Sequence, residues 1–187
     1  MRQGCGHRPG SLIERIALDL REFEFAVIAP ARAEFRSRSG EFRFVVQELL
    51  ESHFLMHIVS TEFIVHCPSQ TFGCDPSDAD PIIVRHQGSL RRKGLEFRLS
   101  PAASDAARGL CDALSKSTEL TAALMPLDFT HCQFKLEPGN VEMRVRHFGA
   151  CEVVGRLPKF HRYVRLGAEQ RDSLVGSFGA FREIIRS

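Results

Sequence analysis

Apolar and polar residues alternate along most of this chain, and the alternation predicts β-strands for the larger part of it. In ARAEFRSRSGEFRFVVQ the period of two predicts a hairpin, with Phe35 on one arm, Gly40 in the turn, and Phe44 and Val46 on the other arm. Segment 54–67 is nearly all apolar, which is typical of a buried strand. The intervening ELLES favours a helix, so a helix over residues 45–56 is the alternative there.

Further alternating or apolar segments predict the remaining strands. Two of them, PIIVRHQ and GLEFRL, flank a basic turn at residues 91–93. Four more follow in the last third of the chain: FTHCQFKL, VEMRVRHF, ACEVVGRL and KFHRYVRL. The polar residues 68–81, which contain proline, glycine and aspartate, predict a loop.

The period changes to that of a helix near the start of the chain. Segment Ser11–Glu22 is amphipathic, with its apolar residues on one face. Ser11 and Glu14 have the spacing of a capping box, in which each side chain bonds the other residue's backbone N–H. The sequence therefore predicts a helix that begins at Ser11.

Two more helical segments follow, one in the middle of the chain and one at its end. Residues 100–116 predict a helix with Ser100 as N-cap and Pro101 in the first turn, where its missing N–H costs nothing. TELTAALMP continues or restarts this helix, and its proline ends it. A last helix begins near Ala168, with an apolar stripe at Leu174, Phe178, Phe181 and Ile185.

The order helix, strands, helix, strands, helix predicts an α+β fold, with a curved antiparallel sheet and helices packed on one face. Two unequal similar halves, about 11–116 and 117–187, are also predicted, as in saddle-shaped or helix-grip folds. The hairpin around Gly40 matches the one around Gly139 at an offset of 99. Arg98 and Leu99 match Arg165 and Leu166 at an offset of 67, so the first half carries an extra segment at about 54–86.

A shorter echo, VRHQG at 84–88 and VRHFG at 145–149, does not belong to this repeat. Its offset of 61 fits neither register, and it would match Val84 with a residue already matched to Val46. We interpret it as accidental.

Composition, net charge and the distribution of apolar residues argue against a nucleic-acid-binding protein and against a membrane protein. The chain has 187 residues with 43% hydrophobic and 26% charged residues, as expected for one globular domain over 1–187. The net charge of +2 is too small to favour nucleic-acid binding. No apolar run has the roughly 20 residues that a membrane-spanning helix needs, and residues 1–10 lack the apolar core of a secretion signal. We expect a cytoplasmic protein with no membrane partner.

The cysteines and histidines do not predict a metal site. The six cysteines are spread out with no CxxC pair, so they are expected to be free thiols, mostly buried. In His66–Cys67 and His131–Cys132 the two neighbours point to opposite faces of a strand. No glutamate follows His53 to complete a metalloprotease motif with His57. The acidic loop with Asp75, Asp78 and Asp80 lacks the glycine and distal glutamate of an EF-hand.

Catalytic and cofactor motifs are also absent. The sequence contains no Walker loop, GxGxxG, GxSxG, SxxK or HExxH. We therefore predict no cofactor and no catalytic residue, and we favour a protein that is not an enzyme.

The strongest candidate site is a set of basic side chains on neighbouring strands. His161, Tyr163 and Arg165 share one face of FHRYVRL, and Arg146 alternates with apolar residues in VEMRVRHF. Arg98 occupies the matching place in the first half. Guanidinium groups bind carboxylates and phosphates through paired hydrogen bonds, so these five residues predict a site for an anionic ligand. The alternative is a solvent-facing side of the sheet with paired charges.

One long segment resembles a known family. VRHFGACEVVGRLPKFHRYVRL, together with LMPLDFTHCQFKL and LRRKGLEFRL, resembles a family of uncharacterised proteobacterial proteins defined as a domain of unknown function. The similarity covers most of the chain and is densest at residues 148–150 and 162–166. The resemblance implies a bacterial origin and a single domain, and it assigns no activity.

Three functions are compatible with these observations. The first is a non-enzymatic binding protein for a small anionic or amphipathic ligand or for a protein partner. The second is a small lyase- or isomerase-type enzyme on an anionic substrate, with arginines that hold the substrate and a histidine as acid or base. The third and weakest is a nucleic-acid-binding saddle.

Overall fold

A computed structural model describes residues 8–40, 42–69, 71–72, 81–88, 91–156 and 159–187. Its helices are α1 (Ser11–Asp19), α2 (Asp105–Lys116), α3 (Thr118–Leu124) and α4 (Ala168–Arg186). Its strands are β1 (Phe23–Ala29), β2 (Arg32–Ser37), β3 (Arg43–Ser52), β4 (Met56–Pro68), β5 (Ile82–Gln87), β6 (Gly94–Arg98), β7 (Phe129–Glu137), β8 (Asn140–Arg156) and β9 (Lys159–Val164).

The strands form an open antiparallel sheet, which confirms the predicted α+β class. Its order is β1-β2-β3-β4-β8-β7-β5-β6, and β9 pairs with β8. No helix in the described part of the chain is long and apolar enough to cross a membrane.

The chain divides into two compact units. The first unit comprises Met1–Ile64 and Arg146–Arg171, and the second comprises Val65–Val145 and Asp172–Ser187. The predicted halves, 11–116 and 117–187, follow a different division and stay a prediction, as do the single domain and the extra segment at 54–86.

Aromatic side chains build the core of the first unit. Gly40 adopts a φ of 75°, a left-handed conformation that glycine reaches without steric cost, and it turns β2 into β3 as predicted. Phe35 and Phe44 stack across these strands with their centroids 5.4 Å apart. The alternative helix over 45–56 is wrong, because β3 continues through ELLES and pairs with β4 as far as Ser52. Pairing along the whole length of β3 thus overrides the local helical preference.

Helix α1 is shorter than predicted and is capped differently. It ends at Asp19 rather than at Glu22, and the chain turns there into β1. The N-cap is Gly10, in a left-handed conformation, and Ser11 makes no capping bond. Instead the buried Glu48 carboxylate of β3 accepts hydrogen bonds from backbone N–H groups at the helix start. A tertiary contact therefore replaces the predicted capping box, and Glu14 forms an exposed ion pair with Arg8.

In the second unit, α4 packs against β7. Phe134 of β7 contacts Phe181 of α4, with 5.3 Å between the ring centroids. The predicted stripe of α4 is confirmed, because Leu174, Phe178, Phe181 and Ile185 are all buried. Gly139 has a φ of 69° and forms the tight turn between β7 and β8, as Gly40 does in the first hairpin. The internal repeat itself stays a prediction.

The start of α2 differs from the prediction. The N-cap is Ser104, whose Oγ accepts a hydrogen bond from the Ala107 N–H at 3.1 Å. Ser100 and Pro101 lie in a turn before the helix, closed by a bond from the Ala103 N–H to the Ser100 carbonyl. Ser117 has an extended backbone, so the helix restarts as α3 instead of continuing.

Four cysteines lie in the described residues, and each is a free thiol. Cys67, Cys132 and Cys151 are buried and Cys111 is half-buried, which confirms the predicted role as small apolar groups. Two of the six cysteines predicted to be free thiols, Cys5 and Cys74, lie outside the described residues, as do Asp75, Asp78 and Asp80 of the acidic loop.

Candidate functional site

Side chains of β9 form the centre of the candidate site, in the first unit. His161 pairs with Val154 of β8 and Tyr163 pairs with Glu152, so these four side chains share one face. Arg165 follows the end of the strand on the same side. The structure thus brings together three of the five predicted residues, all facing α1.

Side chains of β8 alternate between the two faces of the sheet, and this alternation shifts by one residue within the strand. The shift places Glu152 on the same face as His161 and Tyr163. Sequence patterning predicted two strands here, whereas β8 is one strand with a left-handed residue, Ala150, at a φ of 57°. Before Ala150, the odd-numbered His147 points to the helices and bonds Gln170 at 2.6 Å. After it, the even-numbered Glu152 points to the helices and pairs with Arg15.

Two buried hydrogen bonds hold Ala150 in this conformation. The Thr61 hydroxyl donates to the Ala150 carbonyl at 2.8 Å, and the Gly149 N–H donates to Nδ1 of His147 at 2.8 Å. A left-handed conformation costs a residue with a side chain about 1–2 kcal/mol, so these contacts offset a real penalty.

Asp19, the last residue of α1, is the hub of the site. Its carboxylate is 3% exposed and accepts four hydrogen bonds. The donors are the Tyr163 hydroxyl at 2.7 Å, Nη2 of Arg165 at 2.7 Å, Nε of Arg165 at 3.1 Å and the Leu166 N–H at 3.3 Å. This network ties α1 to the end of β9 and fixes the direction of both β9 side chains.

The network also shifts the acidity of its members. Burial, reinforced by the bond to the Asp19 carboxylate, raises the pKa of the Tyr163 phenol well above its usual range. The same carboxylate raises the pKa of the Arg165 guanidinium. Tyr163 therefore stays protonated and Arg165 stays charged at physiological pH.

Two basic side chains, His161 and Arg15, lie beside the buried Glu152 carboxylate. His161 Nε2 lies 3.2 Å from Glu152 Oε2, and Arg15 Nε lies 3.1 Å from Oε1. The Arg15 guanidinium also sits over the Tyr163 ring, 5.6 Å from its centroid. A histidine beside a buried carboxylate has the arrangement of an acid–base pair, as the enzyme hypothesis requires.

Next to Asp19 lies a pocket of about 400 Å³, which we call the arginine pocket. Its cations are Arg21, Arg165 and Arg171, and its apolar walls are Leu18, Leu166 and Ala168; Asp19 and Gly167 complete the lining. An open groove lined by Arg21, Glu22, Arg38 and Arg171 adjoins it. His161 is not among the residues that line either one.

The arginines of the pocket differ in how they are held. Arg171 contacts Glu22 and the Asp19 carbonyl, both at 3.3 Å. Arg165 is bound to Asp19 although its side chain is 75% exposed. Within the described residues Arg21 has no hydrogen-bond or ion-pair partner, which leaves its guanidinium available to a ligand.

The two remaining predicted residues are not part of this site. Arg146 lies on the opposite face of β8 from His147, where it pairs with Glu51 at 3.3 Å and Glu62 at 3.5 Å. Arg98 lies on β6 in the second unit and pairs with Glu96 of the same strand at 2.9 Å. For these two arginines the paired-charge alternative describes the structure.

Sequence reasoning missed Asp19, Arg21 and Arg171. Asp19 and Arg21 lie within the helix predicted over Ser11–Glu22, whereas the helix ends at Asp19. Asp19 lies 144 to 147 residues from the donors that it binds, so no local pattern connects them. The sequence contains one weak indication of the site, because Asp19 and Arg21 both lie close to the predicted end of the helix at Glu22.

The chain's single tyrosine makes the Asp19 bond measurable by ultraviolet absorbance during an alkaline titration. A free phenol ionises near pH 10. Because the folded-state pKa of Tyr163 is raised, native protein should show no tyrosinate near that pH, whereas urea-unfolded protein should. The hydrogen bond of the protonated Tyr163 phenol stabilises the fold fully at every pH below the pKa that tyrosine has in the unfolded chain. Above about pH 10 the phenol of the unfolded chain ionises, so the free energy of unfolding should decline. Native tyrosinate with a midpoint near pH 10 would contradict the buried bond.

Comparison with known proteins gives a family and no activity. A family model described as a protein of unknown function (DUF3156) matches residues 18–185. Searches of the curated proteins and of the solved structures found no match. The predicted resemblance to an uncharacterised family is confirmed, whereas the proteobacterial origin stays a prediction.

Proposed function

We propose, for a chain that belongs to the DUF3156 family of unknown function, that it binds a small organic anion in the arginine pocket. The observation that carries the proposal is the convergence of Arg21, Arg165 and Arg171 on one pocket of about 400 Å³. This volume lies within the range of about 300–1,000 Å³ that is usual for small-molecule sites. The pocket therefore favours a small ligand over a protein partner.

The charge of the pocket favours an anion. Three guanidinium groups face one lining carboxylate, which leaves the pocket with a net charge of +2. If Glu22, the partner of Arg171, is included, the balance is still +1. Asp19 is committed to Tyr163, Arg165 and the Leu166 N–H, so it orients the cations rather than competing for the ligand. A carboxylate or phosphate would bind Arg21 together with Arg165 and Arg171, two guanidinium groups that are already held in position.

The apolar walls favour a ligand with a hydrocarbon part. Leu18 is 73% exposed, and an exposed leucine beside cationic groups supplies contact area for a carbon chain. The exposed Ala168 extends this surface, and the buried Leu166 lies behind it in the pocket lining. We infer an amphipathic anion, with its acidic group on the arginines and its chain against Leu18.

The two alternatives have weaker support. An enzyme would use His161 and Glu152 as an acid–base pair, yet neither lines the arginine pocket. A nucleic-acid binder would need a wider basic surface than a net charge of +2 indicates. The cytoplasmic location of the protein belongs to this proposal as a prediction from the sequence.

Thermal-shift and calorimetric titrations of the full chain test the proposal. We expect octanoate to raise the melting temperature and octanol, its uncharged analogue, to have no comparable effect. Inorganic phosphate tests whether the charge alone is sufficient. Arg21→Ala should weaken octanoate binding about tenfold, because one charge-assisted hydrogen bond contributes roughly 1.5 kcal/mol.

Two further variants act as comparisons. Arg36→Ala removes an arginine of β2 that pairs with Glu34 and does not line the pocket, so binding should be unchanged. Arg165→Ala should weaken binding while the protein stays folded. The proposal fails if no carboxylate or phosphate shifts the melting temperature, or if Arg21→Ala binds as tightly as the unmodified chain.

A further inference from the structure

We propose that His66, Glu137 and Glu142, in the second unit, bind a divalent transition-metal ion of the Zn²⁺ type. One ligand atom from each side chain lies within 4.8 Å of the other two. This site shares no residue with the arginine pocket and would bind a cation rather than an anion. A negative result for one proposal therefore leaves the other unaffected.

Three neighbouring strands carry the ligands. His66 is on β4, Glu142 is on β8 and Glu137 is the last residue of β7. The two residues between β7 and β8 form a tight turn, which places Glu137 on the same face as Asn140 and Glu142. Paired strands hold side chains more rigidly than loops do, which favours a defined site.

The charge balance of this cluster is negative. Glu142 is 2% exposed. Its carboxylate accepts one hydrogen bond from Nε of Arg144 at 2.5 Å and one from Nη2 of Arg144 at 2.9 Å. Glu137 is half-buried and, within the described residues, has no hydrogen-bond or ion-pair partner. The two carboxylates and the Arg144 guanidinium together carry a net charge of −1. A divalent cation would offset this charge and supply the missing partner of Glu137.

His66 is already oriented toward Glu142. The Asn140 side-chain amide lies 3.1 Å from its Nδ1, and its Nε2 lies 3.8 Å from Oε2 of Glu142. A bond at one ring nitrogen that directs the other to the ligand is the usual support of a metal-binding histidine. The side chain of His66 is 41% exposed, which gives an ion access from solvent.

The ligand atoms of the cluster indicate which metal ion it would prefer. One imidazole nitrogen and two carboxylate oxygens suit Zn²⁺ or Mn²⁺ better than Ca²⁺, which takes six to eight oxygens. A tetrahedral ion at roughly 2.0–2.2 Å from each ligand needs ligand atoms about 3.3–3.6 Å apart, so small side-chain rotations suffice. Among these metals Zn²⁺ is expected to bind more tightly than Mn²⁺.

The sequence argument against a zinc site concerned adjacent His–Cys pairs, and this site does not use them. Cys67 points away from His66 and is buried, and burial raises the pKa of its thiol to about 11. Carboxylates that are 71 and 76 residues from His66 take the place of the thiol. No spacing motif connects such distant ligands.

Calorimetric titration of the full chain with ZnCl₂ tests the proposal. We expect one Zn²⁺ per chain, with weaker binding of Mn²⁺ and little of Mg²⁺. His66→Ala and Glu137→Gln should each weaken Zn²⁺ binding by about 10–100-fold. Glu137 has no hydrogen-bond or ion-pair partner among the residues that the structure describes, so Glu137→Gln should fold normally, which circular dichroism would verify.

His131→Ala is the matched control, because His131 lies on β7 and contacts Gln133 rather than the cluster. Its Zn²⁺ binding should equal that of the unmodified chain. Co²⁺ substitution adds a spectroscopic readout, since nitrogen and oxygen ligands give no thiolate-to-metal charge-transfer band. The proposal is overturned by an absence of Zn²⁺ binding at millimolar concentration, by a thiolate band, or by unchanged binding in both cluster variants.

Discussion

Asp19→Ala is expected to lower the free energy of unfolding by about 2–4 kcal/mol, a large effect for one side chain at a helix end. The loss comes from the groups that Asp19 leaves behind. The Tyr163 hydroxyl and the Leu166 N–H would each lose a buried acceptor, and an unsatisfied buried donor costs about 1–3 kcal/mol. The bond to Arg165 adds less, because that side chain is 75% exposed and water can solvate it.

Urea unfolding followed by circular dichroism measures this effect. Asp112→Ala is a suitable control, since it removes an exposed aspartate that pairs with Lys116 within α2. Its expected cost is below about 0.5 kcal/mol. Asp19→Asn keeps the shape and one acceptor oxygen, so it should fall between the unmodified chain and Asp19→Ala.

Asp19→Ala also tests whether Asp19 contributes to ligand binding in addition to stability. Without its carboxylate, Arg165 loses the two bonds that direct its guanidinium. Asp19→Ala should therefore also weaken octanoate binding even where the protein remains folded. If Asp19→Ala unfolds at the urea concentration of the unmodified chain, the carboxylate is not the hub that its four hydrogen bonds indicate.

Local pattern predicted the hairpins well because their determinants lie close together in sequence. In β2–β3 the turn needs a left-handed residue, and Gly40 supplies it between two alternating arms. The stripe of α4 was equally readable, since four apolar residues at helical spacing must bury together. His161, Tyr163 and Arg165 were placed on one face by the same reasoning, and the structure has them there.

Interactions across long sequence separations explain the rest. Ala150 reverses the alternation in β8, and its conformation depends on Thr61, 89 residues earlier. Arg146 precedes this reversal, and its side chain lies on the opposite face of the sheet from the β9 residues with which the alternation in VEMRVRHF grouped it. The arginine pocket was not predictable as a unit, because it forms where the end of α1 meets the start of α4.

The start of α1 shows the same dependence on distant residues. Ser11 and Glu14 have the spacing of a capping box, yet Gly10 is the N-cap and a carboxylate 35 to 38 residues later accepts the bonds. A charged acceptor beside the positive end of a helix is stronger than a serine hydroxyl. A side chain delivered by a paired strand can thus displace the local cap, and sequence spacing alone contains no sign of it.

Glu48→Ala is accordingly expected to lower the free energy of unfolding by about 3 kcal/mol. Its carboxylate accepts from the N–H groups of Gly10 at 2.8 Å, Leu12 at 2.9 Å and Ile13 at 3.0 Å. Two of these bonds are buried, and removing the acceptor leaves their donors without a partner inside the protein. The favourable interaction of the charge with the helix dipole, about 0.3–1 kcal/mol, is lost as well.

Hydrogen–deuterium exchange locates the effect. In Glu48→Ala the amides of α1 should exchange faster, while those of α2, which has its own Ser104 cap, should not change. Glu48→Gln keeps a neutral acceptor and should lose roughly half as much stability. Glu51→Ala, on the same strand but exposed and paired with Arg146, should cost less than about 0.5 kcal/mol. Equal losses in Glu48→Ala and Glu51→Ala would show that the position on β3, and not the cap, determines stability.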